Sequence, residues 1–182
     1  MRSFVLVDGR SGAGKTTYAQ RLSEATGIPV VHLEDFYPGW SGLRQASQMV
    51  ADDVLHPTHP GFRRWDWDAN RPGEWVELDP ASDYIIEGVG ALTQRNIDAA
   101  RALGEVRTVR LVAEEQTRKR RALTRDPYYR DYWEQWAQQE RAFFAAEGRV
   151  PADDIVYVSA GDEGEVEPPA GMSAGASAQK SS

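Results

Sequence analysis

The sequence predicts an α/β fold, with strands and helices alternating along one chain. Two observations predict it. Short apolar runs suited to buried strands recur at 3–7, 28–33, 84–86, 106–112 and 154–158, mostly separated by helical stretches. Between the first run and the first helix lies Gly9-Arg10-Ser11-Gly12-Ala13-Gly14-Lys15-Thr16-Thr17, which fits the pattern GxxxxGK[ST] at every required position.

The first strand, Ser3–Val7, ends where Asp8 opens the loop. Glycines let the backbone curl so that successive N–H groups point inward at phosphate oxygens. The N-terminus of the next helix adds unpaired donors and partial positive charge. The expected nucleotide contacts are Gly9, Ser11, Gly12, Ala13, Gly14, Lys15, Thr16 and Thr17. Lys15 should reach the β- and γ-phosphates, and Thr16 should hold a Mg²⁺ that bridges them. Arg10 and Ser11 occupy the variable part of the loop and read as spacers. Thr17 either adds a hydroxyl near the α-phosphate or is a first-turn residue with no task. The helix from Thr16 to Ala25 buries Tyr18 and Leu22, and Gly27 ends it.

The second strand runs into Glu34-Asp35-Phe36-Tyr37. Carboxylates at the carboxyl end of a parallel strand lie where open α/β sheets bind ligands. An acceptor hydroxyl needs a proton acceptor and a group that fixes its line of attack. Asp35 is the preferred candidate, because strand alternation points Glu34 the other way. The bland alternative is an acidic turn with Asp as a helix cap. Glu34 and Tyr37 are expected substrate contacts, and Phe36 and Tyr37 could form an aromatic wall or simply core.

Pro38 to Gly42 reads as a turn and Gln45 to Leu55 as loosely helical. His56 and His59 are flanked by prolines with no third ligand in view, so they read as irregular chain. Phe62-Arg63-Arg64-Trp65-Asp66-Trp67-Asp68 alternates arginine, aromatic and carboxylate. In a strand, Arg64, Asp66 and Asp68 would share one face, with Trp65 and Trp67 on the other. Arg64 and Asp66 are the candidates for acceptor contacts, against a plain hairpin whose tryptophans only pack.

Asp83–Gly90 is a short apolar strand ending in Glu87, a position suited to organising Mg²⁺ or its water shell. The converse assignment, Glu87 as base and Asp35 on the metal, stays open. A helix from Asn96 to Leu103 and a strand from Val106 to Val112 follow. Five basic residues then fall within eight positions, at Arg118, Lys119, Arg120, Arg121 and Arg125. Arg118, Arg121 and Arg125 share one helix face. Such guanidinium groups can clamp phosphate oxygens and neutralise charge on a transferring phosphoryl, as part of a closing lid. Otherwise the face is solvated. Pro127 breaks this helix. The next, Asp131 to Glu147, reads as core through Tyr132, Trp136, Phe143 and Phe144, with Trp133 beside that face. The last strand leads to Ser159-Ala160-Gly161, placed to line the pocket for the donor's base. Residues 163–182 read as a disordered tail, leaving 1–162 as one domain.

The 182 residues carry a net charge of −7, which argues against a general nucleic-acid binder. The absence of cysteine excludes disulfides and thiolate chemistry. No apolar run approaches a membrane span, and the first strand starts too early for a signal peptide, so a cytoplasmic location is expected. No Asn-Lys-x-Asp tetrad argues for a GTPase.

The motifs at 9–17, 34–37 and 118–126, with Ile86-Glu87-Gly88, resemble the P-loop nucleoside kinases, nearest to uridine kinase and nicotinamide riboside kinase. The resemblance implies a three-layer α/β/α fold with a five-stranded parallel sheet. It also implies an acceptor-binding insertion at about 36–80 and an arginine lid at about 115–130. By this likeness Asp35 or Glu34 acts on the acceptor hydroxyl, and Lys15, Arg118, Arg121 and Arg125 serve the transfer from ATP. The implied activity is phosphoryl transfer from ATP, with Mg²⁺, to a small molecule such as a nucleoside. A sugar, small acid or antibiotic hydroxyl, or a regulatory ATPase, is the alternative. The segment 63–67 departs from the usual acceptor motif of uridine kinases, which is richer in Asp, His and Pro. The chain is also short for that family.

Overall fold

The computed structural model describes residues 1–161. The tail expected at 163–182 lies outside them. Five strands form one parallel sheet: β1 (Arg2–Asp8), β2 (Val30–His32), β5 (Tyr84–Glu87), β6 (Gly104–Val112) and β7 (Asp154–Tyr157), in the spatial order β2-β5-β1-β6-β7. The remaining two strands, β3 (Gly61–Asp66) and β4 (Arg71–Glu77), form a separate antiparallel hairpin.

Strand alternation builds the layers. In β1, Val5 and Val7 face helix α1 (Lys15–Thr26), whose Tyr18, Ala19 and Leu22 cover that side with Ile85, Val109 and Leu111. Phe4 and Leu6 face the other side. There they pack with helix α3 (Gln94–Leu103) through Ile97 and Ala100, and with α5 (Trp133–Ala145) through Trp133, Trp136 and Phe143. The result is an α/β three-layer fold. Gly27, left-handed at φ 76°, ends α1 as its position implies.

Chain order places the crevice. From β1 the chain moves outward to β2, returns to β5, then crosses to β6 on the far side of β1. The loops after β1 and β5 therefore leave adjacent strands toward opposite faces. Ligands of open α/β sheets bind outside the carboxyl ends at such a reversal.

Three expectations need correction. β2 stops at His32, and Leu33–Asp35 is a 3₁₀ turn, so Glu34 and Asp35 are not separated by strand alternation. A bulge between Arg63 and Trp65 breaks the alternation of β3. The apolar face of α5 is Trp133, Trp136, Ala137 and Phe143, while Tyr132 is 39% exposed. Helix α2 (Leu43–Met49) continues into a π-helical turn, Val50–Val54, as the loosely helical stretch implied. Among the described residues no helix is long and apolar enough to cross a membrane.

Candidate active site

β1 delivers Asp8 fully buried to the base of the glycine-rich loop. Its Oδ1 accepts the N–H groups of Gly9 (2.7 Å) and Gly90 (3.2 Å), and Oδ2 accepts that of Leu92 (2.9 Å). One carboxylate thus ties the loop to the turn after β5 across the crevice. Burial pushes this carboxyl up from 3.8 to about 6, against the pull of the amides and of Arg110 and Lys15. Between those values the folded protein binds the proton more tightly than the unfolded chain, so stability from Asp8 falls as pH rises. Asp8→Asn should remove that slope. The wild-type stability relative to the variant should drop by on the order of 1 kcal/mol between about pH 5 and about pH 7 in urea unfolding. An identical pH dependence for both proteins would refute the assignment.

The loop itself needs glycine. Gly12 and Gly14 have φ of 77° and 97°, and a Cβ on Gly12 would stand 2.1 Å from the carbonyl oxygen of Arg118. The loop is therefore pressed against α4 (Glu115–Arg125). Lys15 is buried and its Nζ donates to the Arg10 carbonyl at 3.1 Å. Burial lowers its affinity for the proton, and the carboxylates of Glu87, Glu140 and Asp8 oppose that shift. Next to it the Thr16 hydroxyl donates to Glu87 Oε1 at 3.1 Å, and His32 Nδ1 donates to the same oxygen at 2.6 Å. That bond to Glu87 raises the His32 pKa.

A cleft of about 970 Å³ opens in front of the loop. Ser11, Gly12, Gly14, Lys15, Thr16 and Thr17 line one side of it. Gly9 and Ala13 do not. Gly9 backs onto Leu111, and the fully buried Ala13 donates its N–H to the Arg10 carbonyl. Glu87 reaches the cleft from β5, and Glu34 and Asp35 reach it from the 3₁₀ turn. The Glu34 carboxylate is 3.7 Å from Arg125, and its backbone carbonyl accepts the Trp67 indole N–H at 3.3 Å. Tyr37 lines the cleft with its hydroxyl donating to the Val89 carbonyl, whereas Phe36 is core against Phe62.

From the hairpin region come Arg64 and Trp65, at the bulge in β3, and Trp67 and Asp68, in the turn beyond it. Asp66 is not among the lining residues. Its Oδ1 accepts the Ala69 N–H and closes the turn to β4. The far wall is aromatic: Trp40 stacks on Tyr132 (4.4 Å between centroids) and Tyr129 (5.1 Å), with Trp136 edge-on at 6.3 Å. Trp40 and Tyr129 carry no such signal in the sequence, and Tyr132, expected in the core, is on this wall instead; Trp136 is core as expected, 4% exposed, and also lines the cleft.

The three arginines on α4 divide. Arg121 and Arg125 line the cleft, and Arg121 also donates to the Ser159 carbonyl at 3.0 Å, which brings α4 against the loop after β7. Arg118 is 6% exposed and turns behind the glycine-rich loop, donating to the carbonyls of Ala113 (3.1 Å) and Ser11 (3.2 Å). It lines a second cavity of about 660 Å³, shared with Gly9, Arg10 and Arg110. Another residue missed from sequence is Glu140, 1% exposed on α5 and touching the loop. The readable signal was a lone carboxylate inside the apolar stripe Trp133, Trp136, Ala137, Phe143.

Among solved structures, a possible uridine kinase from Bacillus stearothermophilus superposes with a TM-score of 0.55 at 18% identity, covering 85% of this chain and 88% of the other. A putative fructose transport system kinase from a Silicibacter species gives 0.55 at 20% identity, covering 85% and 89%. These likenesses show the fold alone, an α/β three-layer architecture of the P-loop NTPase type. An uncharacterized protein from Eubacterium ventriosum also superposes, with a TM-score of 0.51 at 10% identity over 87% and 89% of the chains. No protein-family model and no curated protein matches the sequence.

Proposed function

We propose that this protein transfers the terminal phosphoryl group of ATP to a hydroxyl of a small acceptor. The observation that carries the reading is the company kept in one cleft: Lys15 and Thr16 of the loop face Asp35, Glu87, Arg121 and Arg125. The neighbours of this fold described as uridine and fructose kinases support phosphoryl transfer as a class and leave the acceptor broad. Sugars and small hydroxy acids rank ahead of nucleosides. Trp40 is already stacked on Tyr132 and Tyr129, so the ring faces they share are not open to a base.

In this reading Lys15 and the open loop amides hold the β- and γ-phosphates. Thr16 and Glu87 would hold Mg²⁺, which neutralises phosphate charge when bound. Their fit is that of a hard-cation site: a hydroxyl and a carboxylate side by side, with water and phosphate oxygens completing the shell. Asp35 orients the acceptor hydroxyl and takes its proton as the oxygen–phosphorus bond forms. The bond from the γ-phosphorus to the bridging oxygen breaks, and ADP leaves. Arg121 and Arg125 gather the charge that develops, while Arg118 holds the loop from behind. Such catalysis is chiefly positioning and electrostatics.

The test is an acceptor screen over sugars, small hydroxy acids, vitamins and nucleosides, read as an ATP-dependent mass gain of one phosphoryl group. A sugar or acid should gain it. ATP turnover that is the same with and without every acceptor would replace this reading with that of a regulatory ATPase.

A further inference from the structure

We propose that Glu140 is a positioning residue for the phosphate loop, and that Trp136 connects it to the wall of the acceptor cleft. The inference rests on the kinase reading above and goes beyond it. Glu140 Oε1 accepts the Ser11 N–H at 2.6 Å and the Trp136 indole N–H at 3.2 Å. Its Oε2 lies 3.8 Å from Arg118 Nη1, and the same Nη1 donates to the Ser11 carbonyl. The Ser11 hydroxyl shares a 2.7 Å hydrogen bond with the Tyr129 hydroxyl. Every polar group of Ser11 is therefore held, and each partner comes from the α4-to-α5 stretch of chain. A residue that looks like a spacer is the point where that stretch grips the loop.

Core packing alone does not explain this. Taking a carboxylate out of water costs several kcal/mol unless it is paired and hydrogen-bonded. An apolar residue at this place in the stripe of α5 would avoid that cost. What the carboxylate does that a leucine cannot is fix a loop amide. Its other partner leads outward. Trp136 lines the cleft and meets Tyr37 edge-on at 4.8 Å. An acceptor resting against this wall therefore presses on a ring whose N–H is bonded to the carboxylate that sets the loop.

The test uses the full chain and the non-hydrolysable donor β,γ-imido-ATP with Mg²⁺, with affinity measured by calorimetry. E140A should weaken binding about 10- to 100-fold, the range of a lost charge-assisted hydrogen bond. E140Q, which keeps an acceptor for the Ser11 N–H, should recover most of that loss. If E140A does not fold, E140D takes its place, since it keeps the charge and loses the reach. W136F should keep donor affinity within about 3-fold and abolish a nucleotide-dependent part of the tryptophan emission. A purely structural Glu140 would give variants with lowered unfolding midpoints whose folded form binds donor like wild type, and that overturns the proposal. Emission changes equal in wild type and W136F overturn the Trp136 connection. Wild-type protein that binds no donor at all removes the kinase reading, and this proposal falls with it.

Discussion

Lys15→Ala should abolish ATP-dependent phosphorylation of every acceptor, by about 10³-fold or more, in an assay with labelled ATP. The size of the effect follows from where the ammonium sits. Lys15 is buried at the mouth of the loop, with the carboxylates of Glu87, Glu140 and Asp8 acting on it. Removing it would leave a polyphosphate facing that acidic surround with its nearest cation gone. In water such a loss would be modest, but in a site of low dielectric it is amplified. A variant retaining activity within about 10-fold of wild type would break the donor assignment of the loop.

Asp35→Asn should lower turnover by about 10²- to 10⁴-fold while donor affinity stays unchanged. Two carboxylates compete for the role of base, and their surroundings differ. Glu87 already accepts from both His32 and Thr16. Asp35 lines the cleft with no hydrogen bond to its carboxylate among the described residues. A base must be available to the hydroxyl it deprotonates, which favours Asp35 and, in the proposed reading, would leave Glu87 to the Mg²⁺. Glu34→Gln is the control. That side chain is 65% exposed and faces Arg125, so its loss should matter far less. Unchanged acceptor phosphorylation by the Asp35 variant would move the role of base to Glu87.

The sheet and the loop were legible because their signals are local. Apolar runs of strand length, a glycine pattern and a helix-ending glycine each act within a few residues, and β1, α1 and β5 follow them closely. What escaped depends on partners far along the chain. Strand alternation would favour Asp35, but β2 ends in a 3₁₀ turn that points both acids at the cleft. Arg118 shares a helix face with Arg121 and Arg125, yet its guanidinium is drawn to Ser11, 107 residues away, and to Glu140. Asp66 fitted an alternation that a bulge abolishes. Glu140 meets a loop 129 residues earlier, a distance at which no periodicity speaks.

The hairpin of β3 and β4 pairs only with itself and leans on the body through rings: Phe62 against Phe36, and Trp67 against Trp40. No strand of the main sheet depends on its backbone. In the proposed reading, the part that would meet the acceptor is thus a graft on the part that would hold the donor. If that reading holds, exchanging the tip around Trp65 and Asp68 while keeping Phe62 and Trp67 should retune acceptor choice and leave donor binding intact, so one scaffold could be given new substrates by changing a single ornament at its edge.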